Sequence, residues 1–344
     1  MVFILLLTLT AITVVTIPKV MAEKAGVASW LSLLLVSIIF AVFVTVIAQL
    51  NRAFPGRALY EYSQDLIGKA GCVIIALFYA QYFLIADVFL CSSMVEILKA
   101  NFLPKTPEWA FLLAGVPVFG YIAYKGPTNV ARLIEIYGVI SISTMIIVHV
   151  NMAMQGDLED ILPLIVPSEI GNAFGAMKEA IIAFLGIEVL TVMPFSKKNK
   201  KAPRVAFWTL LFIGVFYVVE VETDIMMVGI GEIVYLEYPL IDALRQLQMS
   251  NIEFLRRVDV LFITIGFMGM FAGISVVYLA ALQNISWLFP KSNRLLILVV
   301  IDVMVFGISL TGFSITNFNE IIVEYITYAG VLAAGVIPLI LWII

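Results

Sequence analysis

The chain has 344 residues, of which 62% are hydrophobic and only 13% are charged. A soluble domain carries roughly a quarter charged residues, so this composition excludes a soluble globular protein. The formal net charge is −4, and no basic stripe is interleaved with aromatic residues, which excludes nucleic acid as a partner.

Ten apolar stretches, each bounded by charges or by Pro, Gly and Asn, predict ten transmembrane helices. Each is long enough to cross a hydrocarbon core of roughly 30 Å as a helix. The predicted spans, one to ten in chain order, are 2–24, 27–49, 71–98, 108–124, 130–152, 171–196, 204–228, 254–288, 293–313 and 319–344. The stretch 229–253 predicts a short interfacial helix instead. We therefore expect an all-α polytopic membrane protein with a single membrane domain over residues 1–344.

Basic residues predict the orientation of the bundle, because Lys and Arg concentrate in short cytoplasmic loops. The largest basic cluster lies at 197–204, between spans six and seven, and contains four lysines and one arginine. The loop at 153–169 contains four acidic residues and no Lys or Arg, which fits the outer face. This pattern predicts that both termini are cytoplasmic.

The same acidic loop divides the chain into two sets of five spans, 2–152 and 171–344. Because five is odd, the second set begins at the opposite face, which is the topology of an inverted repeat. Transporters with this topology bind substrate near the midplane, where the first helix of each half is broken. Helix length places that depth near Ala11, Ile12 and Thr13 in span one and near 184–186 in span six.

Span six carries a glycine and an ionisable residue at this depth. Ala183 and Phe184 precede Gly186, and Glu188 follows it. Glycine lets a helix open without steric cost, and a carboxylate inside a membrane is expensive enough to need a reason. These residues indicate an unwound substrate site. The alternative is a glycine for close helix packing and a glutamate paired with a neighbouring helix.

Hydroxyl side chains are frequent in span one, where Thr13 and Thr16 share one face. They could contact a polar ligand or replace backbone hydrogen bonds at a break. The alternative is that each threonine bonds its own helix, as is common in membranes.

Other acidic residues fall within predicted spans. Asp302 lies roughly 12 Å inside span nine, and Asp87 lies in the outer half of span three. Each is a candidate proton or cation site, or a neutral packing residue. Glu220 and Asp224 share a face of span seven near its outer end, where we expect solvation.

Catalytic and cofactor motifs are absent from the sequence. It contains no GxSxG, GxxxxGK[ST] or GxGxxG, and its single histidine and two cysteines form no metal-ligand spacing. We therefore expect no enzymatic activity, no metal and no cofactor.

Three segments resemble the amino-acid-permease-like B subunits of bacterial spore germinant receptors, within the amino acid–polyamine–organocation (APC) transporter superfamily. The resemblance extends over the whole chain. The segments are 54–62 (FPGRALYEY) with Gly68-Lys69, then 184–188 (FLGIE), and Ile17-Pro18. The first of these is the most specific.

This resemblance implies a five-plus-five inverted-repeat fold of the LeuT-like kind. It implies a site for a small amino acid at the breaks of spans one and six. It also implies assembly in the spore inner membrane with two partners, a membrane-anchored A subunit with a large soluble part and a lipoprotein C subunit.

Our leading hypothesis is a subunit that senses a nutrient amino acid and takes part in spore germination. Main-chain groups at Ala11, Ile12 and Thr13 and at 183–186 are expected to hold the ligand, with Phe184 and Tyr79 or Tyr82 as apolar walls. Glu188 and Asp302 are the candidates for ion coupling. Two alternatives stay open, a proton-coupled amino acid transporter of vegetative cells and a conduit for ions or water.

Overall fold

The computed structural model describes residues 13–164, 166–167, 169–193, 200–247, 258–315 and 317–344, and for 258–263 it describes the backbone only. Every regular element in these ranges is a helix, which confirms the predicted all-α class. Helices suit this composition because each one satisfies its backbone N–H and C=O groups internally, without water.

The first half of the chain contains five helices, which correspond to predicted spans one to five. They are α1 Thr13–Ala25, α2 Ser29–Ala53, α3 Leu59–Asn101, α4 Glu108–Tyr124 and α5 Pro127–Gln155. Helix α3 is kinked at Gly68, whose φ of 77° is not helical.

The second half begins with an interrupted span. Span six consists of two short helices, α6 and α7, and two 3-10 turns. Helix α8 is span seven, α10 is span eight and α11 is span nine. Span ten consists of α12 and α13. Their bounds are α6 Ile170–Gly175, α7 Met177–Ala180, turns Ile181–Phe184 and Ile187–Thr191, α8 Ala202–Val228, α9 Pro239–Gln246, α10 Val258–Leu288, α11 Arg294–Gly312, α12 Phe318–Val331 and α13 Ile337–Ile343. A π-helical turn, Leu332–Val336, joins α12 to α13.

Length and composition identify seven helices among the described residues that can cross a membrane. That number takes Thr13–Ala53 as one element, although the backbone leaves the helical conformation at Gly26, where φ is +57°. It also omits α4, which has 17 residues, and the interrupted span six. Separating α1 from α2 and adding these two gives the ten predicted spans. Helix α9, with 8 residues, is too short to cross and lies in the stretch where a non-spanning helix was expected.

Side-chain contacts at the beginning of α3 explain the sequence of the 54–62 segment. The Ala58 N–H donates to Glu61 Oε2 at 2.8 Å, so Glu61 caps the first turn. The Arg57 guanidinium donates to Asp65 Oδ2 at 2.6 Å and to the Glu61 carbonyl oxygen at 2.6 Å. Phe54 stacks on Tyr62 with ring centroids 4.6 Å apart. The segment is therefore a folded corner that fixes how the chain enters α3.

The two most extensive helix pairings are α2 with α8 and α3 with α10. Helices α2 and α8 approach closely at Gly214, where an added Cβ would lie 2.3 Å from the Ser37 Cβ. Small residues permit such backbone contact between membrane helices. In the predicted division into repeats 2–152 and 171–344, the first pair joins the second span of one half to the second span of the other. The other pair joins the third span of one half to the third span of the other. The repeat boundaries themselves stay a prediction.

Candidate ligand-binding site

Span six is interrupted at the depth where a break was predicted. The 3-10 turn Ile181–Phe184 ends at Leu185, whose φ of −70° and ψ of 145° are extended. Gly186 follows with φ 120° and ψ −18°, a conformation that residues with a side chain rarely adopt. The second 3-10 turn then begins at Ile187. The predicted interruption at Gly186 is therefore confirmed.

The Glu188 side chain folds back onto this interruption. Its Oε2 accepts from the Gly186 N–H at 2.8 Å, and its Oε1 accepts from the Tyr82 hydroxyl of α3 at 2.9 Å. The residue is 3% exposed. Glu188 thus holds the non-helical backbone in place and joins span six to span three, whereas a coupling role for it stays a prediction.

Helix α1 reaches the same region through a tyrosine of α8. Thr13 Oγ1 and the Tyr217 hydroxyl are 2.7 Å apart, and either group can donate. The Tyr217 ring meets the Phe184 ring edge to face, with centroids 5.5 Å apart. Phe184 also lies 5.9 Å from the ring of Phe40 in α2. The structure therefore brings Thr13 and Phe184 to one tyrosine. The other two predicted residues of span one, Ala11 and Ile12, lie outside the described residues.

A cavity of about 500 Å³ extends between α1, α3, α7 and α12. Thr13 lines it, whereas Ala183, Phe184, Gly186, Tyr79 and Tyr82 are not among its lining residues. Lys178 and Glu324 also line it, and they form an ion pair at 3.6 Å. So does Glu96, which accepts from the Asn319 amide at 2.6 Å. The cavity thus extends from charged residues, Lys178 and Glu324, to Thr13.

The profile of the spore germination protein family, also described as spore permeases, matches residues 1–318. The chain belongs to this family. It is 24% identical over 282 residues to spore germination protein YndE of Bacillus subtilis (strain 168), covering 81% of this chain and 77% of that protein. It is 25% identical over 300 residues to spore germination protein A2 of the same organism, covering 86% and 80%.

A solved structure shows the same fold. The crystal structure of MhsT in complex with L-phenylalanine superposes with a TM-score of 0.65 at 12% identity, covering 96% of this chain and 87% of that chain. This family member therefore has a LeuT-type transporter fold and is an integral membrane protein.

Two tyrosines of α3 that were predicted as apolar walls also use their hydroxyl groups. Tyr82 bonds Glu188, and the Tyr79 hydroxyl donates to the Ala333 carbonyl oxygen at 2.5 Å. Ala333 lies in the π-helical turn of span ten, so α3 of this spore germination protein contacts both the interruption of span six and that turn. Pro338 was the sequence signal for a free carbonyl oxygen in span ten. A proline lacks an N–H, so it leaves a carbonyl in the preceding turn without its helical partner.

Two acidic residues of α8 are buried, although the sequence predicted that they would be solvated. Glu220 and Asp224 are both 0% exposed, so the predicted solvated helix end was wrong. The turn Leu158–Ile161 and helix α9 both pack against α8. The Asp157 N–H donates to the Met226 carbonyl oxygen at 2.7 Å.

Asp302, the second predicted coupling residue, lies on α11 among neighbours from other spans. Its Oδ1 accepts from the Tyr278 hydroxyl of α10. It also faces Gly120 of α4. Neither neighbour belongs to the interruption, so Asp302 is placed separately from Glu188.

Proposed function

We propose that this chain is the permease-like, nutrient-sensing subunit of a spore germinant receptor and that it binds a small amino acid. The observation that carries the proposal is the interruption at Gly186, held open by Glu188 and joined to Thr13 through Phe184 and Tyr217. Family membership and the LeuT-type fold support a permease-like role in spore germination.

The ligand would enter from the charged rim of the cavity and reach the Thr13 hydroxyl. The cavity volume of about 500 Å³ falls within the usual range for small-molecule sites, roughly 300–1,000 Å³. Main-chain groups near the interruption, from Ala183 to Gly186, would hold the α-carboxylate and α-amino groups once Phe184 and its neighbours move aside. Binding would favour one arrangement of the spans, and a partner subunit would respond to it.

Partners and location follow from the same proposal. In this proposal the chain assembles with an A and a C subunit in the spore inner membrane, and its similarity to spore germination protein A2 supports a role in germination. The basic cluster at 197–204 supports cytoplasmic termini.

Direct binding to purified protein in lipid nanodiscs, measured by isothermal titration across the common amino acids, tests this function. One or a few small amino acids should bind, and Thr13→Val should weaken that binding. Thr311→Val is the matched control, because among the described residues the Thr311 hydroxyl bonds its own helix alone, to the Gly307 carbonyl oxygen at 3.0 Å and the Ile308 carbonyl oxygen at 3.0 Å. Absence of binding by every amino acid would contradict the proposal.

The LeuT-type fold also favours a second function, a proton-coupled amino acid transporter. Amino acid accumulation by vesicles containing this chain alone, driven by a pH gradient, would support it. Loss of germination on deletion of the gene, without vesicle transport, would support the sensing subunit. Ion or water flux through vesicles without amino acid binding would support a conduit.

A further inference from the structure

The cavity that reaches Thr13 has a strongly acidic lining. Among the described residues that line it, four side chains end in a carboxyl group and one ends in an ammonium group, which gives a formal net charge of −3. These residues come from α3, α7 and α12, and they are Glu96, Lys178, Glu179, Glu320 and Glu324. The charge therefore surrounds the cavity rather than lying on one helix.

Lys178 compensates for one of the four carboxylates. Its Nζ lies 3.6 Å from Glu324 Oε1 and 5.1 Å from the centroid of the Tyr328 ring. The ammonium group is thus held on α12, against Glu324 and an aromatic face, which are both ordinary partners of a lysine.

The other three carboxylates of the lining have no such counter-charge. Among the described residues, no Lys or Arg forms an ion pair with Glu96, Glu179 or Glu320. Glu96 accepts a hydrogen bond from the Asn319 amide at 2.6 Å, but a neutral donor leaves the charge of its acceptor uncompensated. A cation within the cavity would supply what the protein does not.

The acidic residues lie towards one end of the cavity. The bond between Glu96 and Asn319 joins the last turns of α3 to the first turn of α12. Phe89 and Thr327 line the same cavity, each seven residues further along one of these helices, or about 10 Å by helix rise. In the proposed function the ligand approaches Thr13 from the acidic end, so it must pass the carboxylates.

A cleft that is lined by charges of one sign, between walls of low dielectric constant, attracts ligands of the opposite sign and repels those of the same sign. We propose that this cavity selects its ligand by charge. A small amino acid with a cationic side chain binds more tightly than a neutral one of the same shape, and an acidic one is rejected. The inference rests on the proposed function and adds the chemical class of the ligand, which the interruption at Gly186 does not determine.

Three amino acids with side chains of similar length test this preference by isothermal titration of the purified protein in lipid nanodiscs. The side chain of α,γ-diaminobutyrate ends in an ammonium group, that of norvaline has a methyl group at the same position, and that of glutamate ends in a carboxylate. Diaminobutyrate should bind about tenfold more tightly than norvaline, and glutamate should bind more weakly than both. Added salt should reduce the preference, because it screens solvent-exposed charges.

Glu320→Gln removes one charge at an exposed position, so the variant should fold normally. The ratio of diaminobutyrate affinity to norvaline affinity should fall by about twofold to fivefold, while norvaline binds as before. Glu159→Gln is the matched control, because Glu159 is also exposed and is not among the residues that line the cavity. It should leave the ratio unchanged. Glu320→Lys should lower the ratio further and strengthen glutamate binding.

Norvaline that binds as tightly as diaminobutyrate would overturn the proposal and leave the amino acid function intact. An affinity ratio in Glu320→Lys equal to that of the wild type would have the same meaning. Diaminopropane, which is diaminobutyrate without its carboxylate, separates this failure from a failure of the proposed function. If diaminopropane binds and no amino acid does, the charge preference is supported and the amino acid function is wrong. If neither diaminopropane nor any amino acid binds, both are wrong.

Discussion

Replacing Gly186 with alanine tests whether the non-helical backbone of span six serves ligand binding. The native φ of 120° is outside the regions that alanine favours. Alanine at this position must either keep the strained conformation or let the backbone move. Movement towards helical φ would turn the residue 186 N–H away from Glu188 Oε2, which it now meets at 2.8 Å.

The size of the effect follows from the cost of that conformation. A residue held in a sparsely populated region costs about 1–3 kcal/mol. If this cost falls on the binding-competent backbone, the population of that conformation drops by about 5-fold to 150-fold. The apparent Kd then rises by the same factor. Typical folding free energies are roughly 5–15 kcal/mol, so the variant should still fold.

Isothermal titration of the amino acid that binds the wild type, together with membrane abundance, measures this effect. Gly186→Ala should bind more weakly at unchanged abundance. Gly307→Ala in α11 is the control, because nothing lies within 4 Å of an added Cβ there. It should bind as the wild type does.

An alanine variant with wild-type affinity would refute the reasoning, since the conformation at Gly186 would then be irrelevant to the ligand. A variant that fails to accumulate, while the Gly307 control accumulates normally, would show that packing decides this position instead.

Three further predictions concern the frame of the site and its orientation. Glu188→Gln keeps only one acceptor oxygen for two donors, so one buried donor loses its partner. The free energy of unfolding should fall by about 1–3 kcal/mol, which lowers Tm, and ligand affinity should fall as well; normal values of both would remove Glu188 from the site. A cysteine at Gln155 should react with an impermeant thiol reagent added outside and one at Lys201 should not, and the reverse labelling would overturn the ten-span orientation. Gly214→Val should lower stability by about 1–3 kcal/mol in a thermal melt, because its Cβ would lie 2.3 Å from the Ser37 Cβ. Added Ser37→Gly should restore part of the loss, and an unchanged Tm in Gly214→Val would contradict the close contact.

The sequence predicted the elements well because their signals are local. Stretches of apolar residues mark the spans, and a glycine two residues before a glutamate marks the interruption of span six. Depth estimated from helix rise was sufficient to place Gly186 correctly, because helix geometry is nearly constant.

Contacts between spans could not be predicted in the same way. Helices that are apolar on all sides give no pattern that shows which face meets which neighbour. The pairing of Tyr217 with Thr13, of Tyr79 with Ala333 and of Asp302 with Tyr278 therefore became visible only in the folded chain. The turn Leu158–Ile161, which packs against α8, comes from a distant part of the chain, so the local sequence around Glu220 and Asp224 does not show their burial.

The contact between Gly214 and Ser37 also identifies a reference for distance measurements within the molecule. Because Gly214 meets Ser37 this closely, sliding or tilting of α2 past α8 would cause a collision, and we expect the two helices to move together. A spin label on each of these two helices should report the same separation in every state of the protein. Distances from this reference pair to labels on α1 or α12 would then record the motion of the ligand-contacting spans alone, free of overall tumbling or of the detergent or lipid used.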